Sequence, residues 1–370
     1  MQPLGAAAGP DKGSYARLMT KSTEPTQPPR LTASDAQKLI QSEWLDRVQE
    51  EIVEPERRIV DPHHHLWGSN GPLPYSLDDL WADTGSGHRV VQTIFMECGA
   101  EYLKEGPEHL RSLGEVEFVT EMAAKTADDG EGRSRIAALV SHIDLRRGEA
   151  IEDIVHQHQD TSGGLFRGVR HAGACAKESD RLMIAGNAVE GLYGLADFRK
   201  GVRTLGRLGQ TYDTWHYHYQ IQEFTALAHA VPDTQMVLDH FGTPLGVGRY
   251  ADDRRQIFDQ WRKDVRELAR CENVVAKLGG LAMPDNGFGW MGREEPPGSD
   301  EFVEAQSPYY LHMIDCFGPE RCMFESNFPV DKMSISYPVL WNGLKKIVHD
   351  FSEDEKEALF SGTATRIYRL

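Results

Sequence analysis

Three consecutive histidines, His63, His64 and His65, follow Asp61-Pro62 and precede Leu66-Trp67. Imidazole is the commonest protein ligand for zinc-like metals and the usual proton carrier near neutral pH. The apolar pair Ile59-Val60 leads into the run, as a β-strand over residues 58–65 would. Alternation along that strand predicts Asp61, His63 and His65 on one face and His64 on the other. Two imidazoles on one face can then reach a single metal ion, water or carbonyl, while His64 is left with a structural role. The run is short, internal and strand-like, unlike a purification tag.

Further apolar, β-branched runs occur at residues 90–97, 136–143, 165–171, 210–217, 235–240, 273–278 and 321–326. Helix-like periodicity lies between most of them, at 116–124, 151–158, 224–230, 257–270 and 309–317, with 339–349 and 353–360 closing the chain. Eight strands alternating with helices predict a parallel sheet with right-handed crossovers. Eight such units in a chain of this length predict an α/β fold, a closed (β/α)8 TIM barrel. An open doubly wound sheet is the alternative, but no GxGxxG follows the first strand.

In a barrel, the chemistry sits where strands end and the following loops begin. Ionisable residues gather there: His63 and His65, Glu97, His142, Arg170-His171, His216-Tyr217-His218, Asp239-His240, Lys277 and Glu325-Ser326-Asn327. Core packing does not account for so many polar groups arriving at one end, and this convergence predicts an enzyme. Cys98 has no base beside it in sequence and reads as a buried thiol.

Residues 1–33 are rich in Gly, Pro, Thr and Ser and predict a disordered or loosely attached segment. Ser34 and Gln37 form a capping-box pattern before Leu39, Ile40, Trp44, Val48 and Ile52. An extended N-terminal segment over 34–56, with a helix over 35–52, is therefore expected to pack on a barrel over 57–370. After the seventh strand, residues 283–300 form a long loop rich in glycine and aromatics, suited to cover the barrel mouth. Within it Trp290 is assigned to substrate binding. Arg293 is either a contact for an acidic substrate or, on balance, a surface residue.

The net charge of −17 disfavours a nucleic-acid or anionic-membrane partner. Five scattered cysteines without a CxxC pair fit reduced thiols. No secretory core or membrane-length apolar run is present, so a cytoplasmic location is expected, with Lys12, Arg17 and Lys21 leaving a transit peptide open.

The chain resembles the amidohydrolase-2 group of the amidohydrolase superfamily, which contains sugar-lactone and pyrone-dicarboxylate lactonases. The segments that carry the likeness are 61–67 (Asp-Pro-His-His-His-Leu-Trp), 168–171 (Gly-Val-Arg-His), 238–242 (Leu-Asp-His-Phe-Gly) and 323–329 (Met-Phe-Glu-Ser-Asn-Phe-Pro), with 362–368 like that group's last helix. The resemblance implies that His63, His65 and His240 hold a divalent metal, zinc first, or polarise a carbonyl. It places Arg170 on a substrate carboxylate or carbonyl, a task that suits a planar guanidinium. Tyr217 and His218 match a Tyr-His pair of the group and are assigned to substrate binding, with His171 entering only if its strand has ended.

One position departs from the pattern. Most relatives carry an aspartate where this chain has Asn327, and a neutral amide cannot act as a base. Glu325, two residues earlier on the same strand face and about 6.6 Å lower, is expected to supply the missing charge. The alternative is a buried glutamate paired with Lys277 or an arginine. Catalysis is therefore assigned to His63, His65, His240, Glu325 and Asn327.

The expected reaction is hydrolysis of a small lactone, acidic or polyhydroxylated, by an activated water with or without metal. No nucleotide cofactor is expected, and a homo-oligomer is allowed. Decarboxylation of an aromatic or unsaturated acid is the second reading, and a lapsed barrel that only binds a ligand is the third.

Overall fold

The computed structural model describes residue 40 and residues 43–69, 71–127 and 132–370. The segment 1–33 and the predicted helix start at Ser34 lie outside the described residues. Eight strands form one parallel sheet in the order of the sequence. They are β1 (Arg58–His64), β2 (Arg89–Met96), β3 (Arg135–Ser141), β4 (Phe166–Arg170), β5 (Thr211–Thr214), β6 (Met236–Leu238), β7 (Val274–Leu278) and β8 (Cys322–Phe324). The sheet closes on itself just beyond the strands. The amide of His65 donates to Phe328 O at 2.8 Å and that of Asn327 to His63 O at 3.0 Å.

One helix follows each strand: α1 (Leu77–Thr84), α2 (Leu113–Ala127), α3 (Ile151–Thr161), α4 (Ala196–Arg207), α5 (Ile221–Ala230), α6 (Arg254–Leu268), α7 (Ser299–Phe317) and α8 (Tyr337–Ile347). Short helices α9 (Glu353–Glu357) and α10 (Thr363–Tyr368) end the chain. The TIM barrel expected from the strand rhythm is therefore observed. Helices α1 and α4 were missed by periodicity. The first is only two turns long, and the second carries two glycines among charged residues.

Alternation along the strands sorts the core into two layers. Val60, Ile94, Val140, Val275 and Met323 point into the lumen. Ile59, Phe95, Leu139, Tyr212 and Leu238 point outward against the helices. Each such side chain contributes roughly 1.5–3 kcal/mol by leaving water. At the start of the strands, Ala364, Ile367 and Tyr368 of α10 close the lumen from below.

Two expectations for the first 65 residues change. The predicted helix over 35–52 does not run through: Leu45–Arg47 is a single 3-10 turn, and Val48 is already extended. Long-range contacts replace the helical ones. The Trp44 indole donates to Arg293 O at 2.8 Å, Arg47 donates to Glu294 O at 2.8 Å, and Glu50 accepts from the Ser299 amide at 2.7 Å. In β1 the alternation breaks, because the pairing with β2 slips between Asp61 and His64. Asp61 therefore does not share a face with His63. It turns toward the helix layer, where it accepts from Tyr337 Oη at 3.1 Å and the Ser326 amide at 2.9 Å.

Candidate active site

The slip in β1 leaves His63 and His65 directed into the top of the lumen. Their Nε2 atoms lie 3.3 Å apart. His64 points the other way, with its ring edge-on to Phe95. Opposite them, the segment after β6 turns sharply at His240 and Phe241, both with positive φ. That backbone region costs a non-glycine residue about 1–3 kcal/mol and is found where a site demands it. The turn brings the His240 ring centroid to 4.5 Å from that of His63.

Glu325, one residue past β8, joins the two. Its Oε2 lies 2.8 Å from His63 Nδ1 and its Oε1 2.7 Å from His240 Nδ1. Gly279 and Gly280, just past β7, make this approach sterically feasible. A Cβ on Gly279 would stand 2.4 Å from Glu325 Cγ, and one on Gly280 2.4 Å from His240 Nδ1. No signal for those two glycines was taken from the sequence, although a Gly-Gly pair at a strand end is one. Glu325 thus faces two histidines, rather than pairing directly with Lys277 or an arginine as the alternative had it.

The tautomers follow from these partners. His65 Nδ1 donates to Met96 O at 2.8 Å and His240 Nδ1 to Glu325 Oε1 at 2.7 Å, while His63 Nε2 faces the Arg170 guanidinium, which places the His63 proton on Nδ1. The Nε2 atoms of His63 and His65 are then unprotonated. Burial, together with the positive charges of Lys277 and Arg170, holds His63 well below the ordinary imidazole pKa. Burial and Arg170 do the same to His65.

Below the histidines lies a buried ion network. Lys277 Nζ sits 3.1 Å from Asp213 Oδ2 and 3.3 Å from Asp239 Oδ1, and Tyr368 Oη donates to Asp213. Burial alone would raise the Asp239 pKa, but the cations Lys277 and Arg170 outweigh it and bring the group below its usual value. On the far side, Arg170 Nε bonds Glu97 Oε1 at 2.8 Å. Its Nη1 lies 3.3 Å from His63 Nε2 and 3.5 Å from Asp239 Oδ2, and its Nη2 donates to Glu97 O. The donors of Arg170 are thus directed to protein acceptors.

The other predicted positions scatter. Asn327 has φ +56° and donates its amide to Asp331 Oδ1 at 2.9 Å. Burial raises Asp331 to about 7, a buried carboxyl that sequence reading passed over. His171 accepts from the Leu145 amide and packs edge-on to Phe198, away from the cluster. His218 accepts from the Leu245 amide and packs against Tyr219 and Tyr250. Tyr217 Oη holds a loop, accepting from the Gly186 amide and donating to Ile184 O. Trp290 is buried against Phe288 and Phe302, with its indole on Glu301, and so packs in the helix layer. Arg293 pairs with the same Glu301. His216, passed over in favour of His218, is the fully buried one, pushed down to about 3 by burial against the opposing pull of Asp239.

Among the described residues, one ligand atom each from His63, Asp239 and His240 comes within 4.8 Å of the others, the spacing of a shared metal ion. The chemistry of this donor set fits a divalent cation. Neutral imidazoles each have the far nitrogen fixed by a carboxylate or carbonyl, the arrangement that orients metal-binding histidines. Two cations, Lys277 and Arg170, are paired with three carboxyl groups, Glu97, Asp213 and Asp239, while Glu325 stands against the histidines.

A closed parallel barrel with imidazoles and a carboxylate converging at its C-terminal mouth defines an enzyme of acid–base or metal-assisted hydrolytic type. The amidohydrolase-2 family model (Amidohydro_2, amidohydrolase) matches residues 60–370, and the chain belongs to that family, within the amidohydrolase superfamily. It is 27% identical over 324 residues to L-fucono-1,5-lactonase of Burkholderia multivorans, covering 84% of this chain and 96% of the relative. An uncharacterized protein of Sinorhizobium fredii, y4mH, is 29% identical over 333 residues, covering 84% of this chain and 98% of that protein. Two crystal structures of an amidohydrolase from Burkholderia multivorans, one with bound HEPES and one with bound zinc, are each 25% identical. They have TM-scores of 0.64 and 0.60 and cover 84% of this chain and 99% of the other.

Proposed function

We propose that this chain hydrolyses a small lactone. The observation that carries the reading is the carboxylate of Glu325 set against the Nδ1 atoms of both His63 and His240, accepting from His240 Nδ1 at 2.7 Å and so leaving Nε2 as the reactive nitrogen of that ring. The likeness to a lactonase over most of both chains supports it.

His63, His65 and His240, with Asp239 alongside, would hold a divalent ion, and the zinc-bound relative supports zinc as that ion. Such an ion supplies Lewis acidity and lowers the pKa of a bound water to around 7. The chain's own residues do the rest. Without an ion, the Nε2 of His240 takes the proton of the attacking water, and Glu325 on its Nδ1 stabilises the resulting imidazolium. The guanidinium of Arg170 lies beside His63, where negative charge on the carbonyl oxygen would develop. The water oxygen bonds to the carbonyl carbon, the ring C–O bond breaks, and the proton passes to the leaving alkoxide. The product is a hydroxy acid. Asn327 takes no proton in this scheme; it holds Asp331.

The test is a panel of lactones and aromatic carboxylic acids, with and without a chelator, followed by acid release and by carbon dioxide release. Acid release from lactones supports the proposal. Carbon dioxide from an aromatic acid without ester cleavage overturns it, as does tight binding of lactones without turnover.

A further inference from the structure

The groups that would do this chemistry are sealed. His63 and Glu325 have no exposed surface, and His65, His240 and Arg170 have at most 5%. The lower end of the lumen is closed by Ile367 and Tyr368. Any substrate therefore enters past the loops at the C-terminal ends of the strands, between the side chains gathered there.

One side of that entrance is apolar. Trp67 and Leu73 after β1, Met283 after β7 and Met333 after β8 form one buried cluster, with Met183 and Ile184 from the loop after β4 packed against it. The cluster is continuous with the site, because the Trp67 ring centroid lies 5.2 Å from that of His65. Polar groups nearby are already engaged. The Trp67 indole donates to Cys98 O, and the two Asp285 oxygens accept the amides of Met183 and Ile184. Arg170, the natural partner of a substrate carboxylate, is directed to Glu97, His63 and Asp239. A polyhydroxylated or anionic ring lodged here would lose hydrogen bonds to water without replacement. An alkyl or aryl group would not, and thioether side chains adapt to varied apolar shapes. The chain itself supplies an example, since Ile40 is buried in the same cluster.

We propose that this collar is a specificity site for an alkyl or aryl substituent carried on the ring that is opened. The inference rests on the lactone reading for its reaction, and it replaces the acidic or polyhydroxylated substrate expected from the sequence. The test compares δ-decalactone, which bears a pentyl chain, with unsubstituted δ-valerolactone and with δ-gluconolactone. The pentyl lactone is expected to exceed δ-valerolactone in kcat/KM by about tenfold or more, chiefly through KM. In Met283→Glu that ratio falls toward one, with Met333→Gln taking its place if the first variant does not fold. A preference for δ-gluconolactone over δ-decalactone, or a ratio untouched in the folded variant, overturns the collar while leaving lactone hydrolysis standing. If no lactone is opened, the reaction reading fails, and binding followed by tryptophan fluorescence decides the collar. Tighter binding of δ-decalactone than δ-valerolactone, lost in the variant, sustains it, and equal affinities overturn it.

Discussion

The two ends of the barrel are made by the same eight strands and are filled in opposite ways. Toward the strand starts, Val60, Val275 and Met323 share one cluster with Ile367 of α10, with no ionisable group among those four side chains. Near the strand ends, the lumen holds Lys277 between Asp213 and Asp239, then His63, His65, His240 and Glu325. The lower layer gains stability by leaving water. The upper layer gives stability up, since desolvating charges is repaid only by close pairing. The difference teaches where each kind of mutation should be felt, above all whether folding and turnover respond separately.

The sharpest break of this comparison is Lys277→Met, which leaves Asp213 and Asp239 buried without their shared cation. A loss of about 3–5 kcal/mol in denaturant unfolding is expected. A loss under about 1 kcal/mol would mean that the two carboxylates are neutralised in another way. At the lower end, Ile367→Ala is expected to cost about 2–5 kcal/mol through the cavity it leaves. Turnover of the folded fraction should stay within about twofold of wild type, a limit set by the remoteness of Ile367 from the histidines. A larger fall in kcat would show that the two ends are not separate.

The smallest expected effect concerns pH. Burial pushes His64 down to about 3, so the unfolded chain holds a proton on this group between pH 3 and 6.5 that the folded chain does not. Its contribution to stability is therefore present above pH 6.5 and is lost as pH falls. His64→Phe should flatten the acid side of the Tm-against-pH curve, and an unchanged slope would place the acid sensitivity elsewhere.

Much of the barrel is legible in the sequence because period-two apolar runs and their spacing are local properties. His63, His65, His240 and Glu325 could be named for the same reason, each standing next to such a run. What escaped depends on distant partners or on local irregularity. Asp61 was placed on the wrong face because one slip in β1 reverses the alternation. Asp213 and Tyr368 look ordinary until the fold sets them beside Lys277. Asp331 gains its raised pKa from burial that nothing in Pro329-Val330-Asp331 announces. The predicted helix over 35–52 gave way because Trp44, Arg47 and Glu50 each find a partner about 250 residues away.

The central claim is that Glu325 has taken over the charge that position 327 lacks, by clamping His63 and His240. Steady-state kinetics of Glu325→Gln, on whichever lactone the wild-type chain turns over, tests it most directly. The account predicts a fall in kcat of roughly 10²–10⁴-fold, with Tm little changed. Unchanged turnover in Glu325→Gln, alongside its loss in His240→Ala, would contradict it.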